Sequence, residues 1–347
     1  MEFFFQWHLT ERCNLRCTHC YQEGCQGGEL SLPQAKKIVN IAHDTIQSWS
    51  DTYEVDFSPS FNVTGGEPFL SSYLMHILDH LNTKGFDIFL LTNGTMIDSE
   101  KAGMLAAIPV QGVQVSIEGP EAVHNQIRGK GNFRKAMHGV DQLLDAGLEV
   151  TLNVTLSEIN YDYLKDLVEL ASSVGVQRLG FSRLVPYGRG KDLINRIIPK
   201  EKLRQVYEDI LTTRNDKVFI TTGDPVASQV GEEIDGKNDT IPLGGCAAGV
   251  SGITILPDGT LTPCRRLGIP IGNILKGSFR EIWATSPVLE SLRTKSSYKG
   301  KCGMCARWSQ CRGCRAIAYA YSILHGLGDY LAEDPQCFID DSSAPHG

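Results

Sequence analysis

The chain has 347 residues, a formal net charge of −7, 41% hydrophobic residues and eleven cysteines. That length accommodates one α/β barrel with an appended module, and the acidic balance excludes the basic surface that drives binding to nucleic acid or anionic membranes. The aromatic start Met1–Trp7 is too short to span a bilayer and lacks the features of a signal peptide, so a cytoplasmic protein with no membrane partner is expected.

In chain order, Phe3–Leu9, Ser60–Thr64, Phe86–Thr92, Gly112–Ile117, Leu148–Val154 and Gln177–Ser182 read as strands, each followed by a loop and a helical stretch. That is the βα rhythm of a parallel sheet. After Ser31, residues Ile38, Val39, Ile41, Ala42 and Ile46 recur on one side of a helix, with Pro33 tolerated in its first turn. Helices are expected again over Phe133–Leu144 and Tyr161–Ser173. From about Ile220 the rhythm gives way to polar, Gly-rich segments, including Gly231–Thr240, and then to a cysteine-dense region from Cys246 to Cys337. The expected fold class is α/β, a partial (β/α)6 TIM-like barrel over 1–220, a connecting segment over 221–240 and a cysteine-rich domain over 241–347.

In a reducing compartment, an odd number of closely spaced cysteines points to metal or redox chemistry, not to a disulfide framework. Cys13, Cys17 and Cys20 form a C-x3-C-x2-C group just after the first strand. Three thiolates can hold three irons of a cubane and leave the fourth iron open. Structural zinc prefers four ligands and C-x2-C pairs, and His19 would complete a zinc site only from an awkward position between two ligands. The second signal is Thr64-Gly65-Gly66-Glu67-Pro68 at the end of the second strand, on the side where a βα barrel builds its active site. Its glycines let a backbone approach a ligand closely, and Glu67 offers a carboxylate.

C-x3-C-x-aromatic-C followed by Gly-Gly-Glu-Pro resembles the radical S-adenosylmethionine (SAM) superfamily. The resemblance implies a 4Fe-4S cluster on Cys13, Cys17 and Cys20, whose open iron takes the amino and carboxylate groups of SAM. Gly65, Gly66 and Glu67, with Pro68, would meet the methionine amino group, and His19 would lie near adenine. One electron would then cleave SAM to methionine and a 5′-deoxyadenosyl radical. Ser116 and Asn153, at later strand ends, are further expected SAM contacts. Arg128, in His124-Asn-Gln-Ile-Arg128, is either a fork to the SAM carboxylate or a solvated surface residue.

The distal cysteines read Cys246, Gly259 with Cys264 five residues on, then Cys302-x2-Cys305-x5-Cys311-x2-Cys314, and Cys337. Spacing alone leaves a zinc ribbon open. The longer pattern resembles the SPASM extension of radical SAM enzymes, which implies two auxiliary iron-sulfur clusters of the 4Fe-4S type. Cys302, Cys305, Cys311 and Cys337 would hold one, and Cys246, Cys264 and Cys314 the other, whose fourth ligand is undetermined. The x2 spacing between Cys311 and Cys314 departs from the usual x3 and puts in doubt how the two are shared. Asp258-Gly259 is read as a hairpin turn delivering Cys264. Cys25 has no evident partner and is read as a bystander.

The resemblance also implies a peptide substrate and a low-potential electron donor of the ferredoxin or flavodoxin type. Arg265-Arg266 stand where sulfatase-maturing members carry an acid, which disfavours that reaction. With the first cluster cysteine at residue 13, no leader-binding domain is expected ahead of the core. A separate protein, or the acidic stretch Gly231–Asp239, would hold a leader. The phrase Phe5-Gln-Trp-His-Leu-Thr-Glu-Arg-Cys13 with Tyr21-Gln22 resembles maturases of ribosomally made peptides containing cysteine or selenocysteine, so a thioether or selenoether crosslink is the expected product. The alternatives are a haem-pathway or tungsten-cofactor radical enzyme and a non-catalytic iron-sulfur scaffold. Arg183, Tyr187 and Arg265 are the candidate catalytic residues, from position alone.

Overall fold

A computed structural model describes residues 1–22, 28–231 and 240–339. Cys25 and positions 232–239 of the acidic stretch lie outside the described residues. The first six strands are β1 Glu2–His8, β2 Ser58–Thr64, β3 Asp87–Thr92, β4 Gly112–Ser116, β5 Val150–Leu156 and β6 Arg178–Arg183. All six sequence-predicted strands form, with boundaries moved by at most two residues. They pair in parallel in that order, separated by helices α1 Leu32–Tyr53, α2 Leu74–Thr83, α3 Ser99–Ala106, α4 Glu121–Arg128, α5 Asn132–Asp145 and α6 Leu164–Val174. In α1, Ile38, Val39, Ala42 and Ile46 are buried, as their spacing predicts, while Pro33 sits in the first turn.

The sheet does not stop where the sequence rhythm breaks. Helix α7 (Lys200–Thr212) leads into β7 (Phe219–Thr222), which pairs in parallel with β6. At the other edge, β8 (Gly252–Ile255) pairs in parallel with β1, and an antiparallel meander continues through β9 (Thr260–Thr262) to β10 (Gly272–Asn273). One open ten-stranded sheet, in the order β10-β9-β8-β1-β2-β3-β4-β5-β6-β7, therefore carries both the barrel and the start of the cysteine-rich region. The Asp258-Gly259 turn forms as expected. Gly259 adopts φ +85°, the left-handed conformation that disfavours a side chain.

Alternation along the strands explains which face binds. The outward residues Phe5, Phe61, Ile88, Val115 and Leu152 are fully buried beneath the helices, whereas the inward Gln6, Asn62, Gln114 and Thr151 line the lumen together with the apolar Phe4, Phe89 and Leu91. Parallel strands covered on both faces read as unbroken apolar runs. Here β2, β4 and β5 keep the alternation, with polar side chains on the concave face, whereas β3 is apolar on both faces.

The cysteine-rich region is bound to the barrel at two places. Helices α8 (Phe279–Thr285) and α9 (Pro287–Arg293) follow β10. Phe279 and Trp283 of α8 join Phe3 and Trp49 in an aromatic cluster, with the Phe3 and Trp283 centroids 5.0 Å apart. Farther on, α10 (Lys301–Met304) and α11 (Arg315–Leu324) precede the segment that returns to β6. There Arg183 is 1% exposed and donates to Asp224, Asp334 and Gln336. This corrects the expectation that Arg183 is catalytic. It borders the cleft, but its guanidinium is committed to two carboxylates and joins the barrel to the C-terminal segment.

Candidate active site

The loop after β1 crosses the C-terminal mouth of the strands and rests on the Gly65-Gly66 turn that ends β2. Gly66 N–H donates to Thr10 O at 2.7 Å, and Glu67 N–H donates to Arg12 O at 2.8 Å. A Cβ at Gly65 would lie 2.5 Å from Thr10 O, and one at Gly66 would lie 2.3 Å from Arg12 O. The glycines are thus required for the cysteine loop to seat, a step before any ligand arrives. Both still line the cleft, together with Cys13, Cys17 and Cys20.

Glu67 does not do what its position implies. Its carboxylate is fully buried and accepts from Thr92 Oγ1 (2.7 Å), Asn93 N–H (2.9 Å) and Phe69 N–H (3.3 Å). Burial pushes the carboxyl up to about 7, against the three donors. Neither Glu67 nor Pro68 borders the cleft. As side chains they are corrected from expected cofactor contacts to supports of the β2–β3 mouth. Asn93 extends that support by donating to Asn14 Oδ1 at 2.9 Å inside the cysteine loop.

Burial, with the neighbouring Glu67, Cys17 and Cys20, pushes the Cys13 thiol up to about 11 despite the Leu15 N–H it accepts. Burial also raises Cys17, although Arg128 opposes it. Left alone, such thiols stay protonated. Coordination deprotonates them.

Glu118 is the buried hub that the sequence did not single out. Arg128, in the last turn of α4, directs Nε and Nη2 to Glu118 Oε1 at 2.8 and 2.6 Å, with Nη1 3.8 Å from Cys17 Sγ. His19 Nε2 lies 3.2 Å from the same oxygen, and Thr155 N–H donates to Oε2. Arg128 is therefore no surface residue. Its fork meets the protein's own Glu118, and the residue also borders the cleft. His19 lines the cleft, and its Nδ1 is buried without a partner, so a polar ligand can satisfy it.

Burial alone would raise the Glu118 carboxyl, but Arg128, His19 and the Thr155 N–H outweigh it and hold it well below the usual carboxylate range. A carboxyl lowered on folding contributes stability that is full above its unfolded value of about 4.3 and is lost as pH falls through the folded value. Glu118→Gln should therefore lower the urea midpoint at pH 7 and flatten its decline below about pH 4.3. Equal slopes in the two proteins would refute this account of the hub.

Ser116 and Asn153 are direct partners in the β4–β5 register and border the cleft side by side. Tyr187 does not border it. Its neighbour Gly188, at φ +59°, brings the chain against the cysteine loop, where a Cβ would stand 2.3 Å from Tyr21 O. Arg189 then donates to Cys17 O at 3.3 Å. Arg265 and Arg266, just after Cys264, also border the cleft.

The distal cysteines fall into two neighbourhoods. Cys302, Cys311 and Cys337 act on one another electrostatically, and Gln229 Nε2 lies 3.4 and 3.5 Å from the sulfurs of Cys311 and Cys337. Cys314 instead interacts with Cys246, and Arg266 sits beside both Cys314 and Cys264. Arg312 and Gly313, both at φ +58°, explain how a short x2 spacing separates Cys311 from Cys314. Two successive left-handed residues turn the chain sharply between the two cysteines. A non-glycine residue at that φ is costly, and Arg312 is held there by donating to the carbonyls of Ser309, Gly244 and Cys246. Among the described residues no three His, Cys, Asp or Glu side chains converge as ligands of a single metal ion do.

The profile of the Radical SAM superfamily matches residues 7–171, and that of the SPASM iron-sulfur cluster-binding domain matches 246–315. The chain is 31% identical to the AdoMet-dependent heme synthase of Nitratidesulfovibrio vulgaris, over 95% of this chain and 90% of that protein. The chain belongs to the radical SAM superfamily. This radical SAM/SPASM enzyme is also 32% identical to the mycofactocin maturase MftC of Mycolicibacterium smegmatis, over 98% of its own length and 83% of the relative's. Its fold matches that of Streptococcus suis SuiB bound to S-adenosylmethionine, with a TM-score of 0.74 at 18% identity over 98% of this chain and 78% of the other. The radical SAM/SPASM enzyme uses SAM and iron-sulfur clusters. Among its described residues no helix is long and apolar enough to cross a membrane.

Proposed function

We propose that this radical SAM/SPASM enzyme modifies a ribosomally synthesised peptide, forming a thioether, selenoether or related crosslink. The observation that carries the reading is convergence: one cleft brings together Cys13, Cys17 and Cys20, the Gly65-Gly66 turn, Ser116, Asn153 and the chain that follows Cys264. In this reading the three thiolates hold a 4Fe-4S cluster with one open iron. Gly65, Gly66, Ser116, Asn153 and His19 frame SAM. When bound, the pair supplies a 5′-deoxyadenosyl radical that removes a hydrogen atom from a peptide carbon.

Cys302, Cys305, Cys311 and Cys337 are assigned to one auxiliary cluster, and Cys246, Cys264 and Cys314 to a second, beside which a substrate thiol or selenol would lie. Arg128 and Glu118 keep His19 and the cysteine loop in place, and Glu67 fixes the turn. Residues 1–220 act as the radical core and 241–347 as the auxiliary domain, on the sheet they share. A ferredoxin or flavodoxin would supply the electron. The likeness to mycofactocin maturase over nearly the whole chain supports a peptide substrate.

A haem-pathway substrate is the second reading, favoured by the equally extensive likeness to heme synthase. Anaerobic reconstitution, iron counting and an assay for 5′-deoxyadenosine test the common core. Replacing Cys13, Cys17 and Cys20 together by Ala should abolish SAM cleavage and keep the auxiliary iron. Cleavage that survives the triple replacement would overturn the assignment. Mass spectrometry then separates the readings: a cysteine-containing peptide that loses two hydrogens supports the crosslink, and an unchanged peptide beside an altered porphyrin supports the haem pathway.

A further inference from the structure

The geometry points to a carboxylate-binding subsite at Arg265, backed by Arg266, that holds an acid group of the substrate where the cleft opens into the lumen. This rests on the assignment of the cleft as the radical site and names the chemistry its substrate must carry.

Five arginines border the cleft and, among the described residues, no aspartate or glutamate does. Three of the five are accounted for. Arg128 is forked onto Glu118, Arg183 onto Asp224 and Asp334, and Arg189 donates to Cys17 O. Arg266 donates from Nη1 to Arg183 O, but its Nε is buried with no hydrogen-bond partner. Arg265 makes no hydrogen bond or ion pair to any described residue, and its guanidinium lies 5.9 Å from the Tyr21 ring centroid. A half-buried guanidinium without an anion is costly, and its planar fork of donors matches a carboxylate in a way that an ammonium does not.

Position supplies the second argument. Arg265 borders both the cleft and a second cavity of about 460 Å³ that runs down the lumen between Gln6, Asn62, Gln114 and Thr151. A substrate reaching from that cavity toward SAM passes the guanidinium. Next to it His8 is buried, and burial together with Arg265 drives its imidazole down to about 3. His8 therefore stays neutral and leaves the positive charge to the arginine pair. The lumen wall carries one charge of each sign, Glu149 and Arg178, beside its amide and hydroxyl groups, whereas the cleft at its mouth carries arginines and no acid, so an acid group is drawn to the mouth.

A carboxylate of this kind is carried by a peptide C-terminus or by a propionate arm of a tetrapyrrole. The test uses the reconstituted holoenzyme with saturating SAM. The probes are a tripeptide as free acid and as C-terminal amide, and a propionate-bearing porphyrin as free acid and as methyl ester, with binding measured by calorimetry. The free acid of at least one pair should bind about 10- to 100-fold more tightly than its neutral form. That ratio should fall to about one in Arg265→Met and be partly kept in Arg265→Lys. The pair showing the ratio identifies the source of the acid group.

Acid and neutral forms that bind alike, no binding by either acid, or a ratio that survives Arg265→Met would overturn the subsite. Because the ratio is taken within each variant, a general loss of folding does not imitate it. SAM cleavage without any probe is assayed in parallel. If cleavage is absent the radical reading fails, whereas cleavage without acid preference removes the subsite alone.

Discussion

Gly66→Ala is expected to cut 5′-deoxyadenosine formation by about a hundredfold, since displacing a reactive group by an ångström can cost that much. The added Cβ would sit 2.3 Å from Arg12 O, 2.6 Å from Arg12 C and 2.6 Å from Glu11 O. All three are backbone atoms, so no side-chain rotation relieves the contact, and the loop carrying Cys13 must move. The hydrogen bonds from Gly66 N–H to Thr10 O and from Glu67 N–H to Arg12 O would go with it. Iron per chain should drop by one cluster, while the auxiliary absorbance persists because those cysteines lie elsewhere in the chain. A Gly66→Ala protein with full iron and unchanged SAM cleavage would show that the loop does not depend on this contact. Gly103→Ala in α3 is a suitable control, because nothing lies within 4 Å of its Cβ position and its backbone is helical.

Arg183→Met is expected to cost about 3–5 kcal/mol, the usual penalty for leaving a buried ion pair half empty. Its guanidinium holds Asp224 and Asp334, both almost fully buried, at 2.8 Å each. Burial alone would raise the Asp334 carboxyl, but Arg183 reverses this and keeps it below the ordinary range. Asp334 also accepts from Cys314 N–H at 2.8 Å, so loss of the arginine should disturb the distal cysteines as well as lower Tm. Limited proteolysis should cut first in the C-terminal segment 330–339. Combining Arg183→Met with Asp224→Asn and Asp334→Asn should recover part of the loss, because the stranded charges are then removed. A single variant with unchanged Tm and proteolysis pattern would contradict this role.

The two strongest motifs were readable because each is set by local chemistry. Three closely spaced thiols need only a loop to meet one cluster, and alternating apolar residues form strands wherever one face is covered. The strands, α1 and the Asp258-Gly259 hairpin accordingly fall where their patterns place them. Glu118 carries no such mark. It stands beside a strand end like any other acid, and its importance comes from Arg128 on the next helix, His19 on a distant loop and Thr155 on the next strand. Arg183 and Glu67 illustrate the converse. Both sit at strand ends, where barrel enzymes place reactive groups, yet long-range partners absorb their charge.

Local spacing and periodicity were thus enough to establish the βα rhythm, the two cysteine groups and the glycine turn between them, since each depends on residues close together in the chain. Folding alone settled which charges are neutralised and which face the cleft, because those pairings join residues as far apart as Arg183 and Asp334. The same holds for the sharp turn between Cys311 and Cys314, which rests on two backbone dihedrals that residue spacing does not specify.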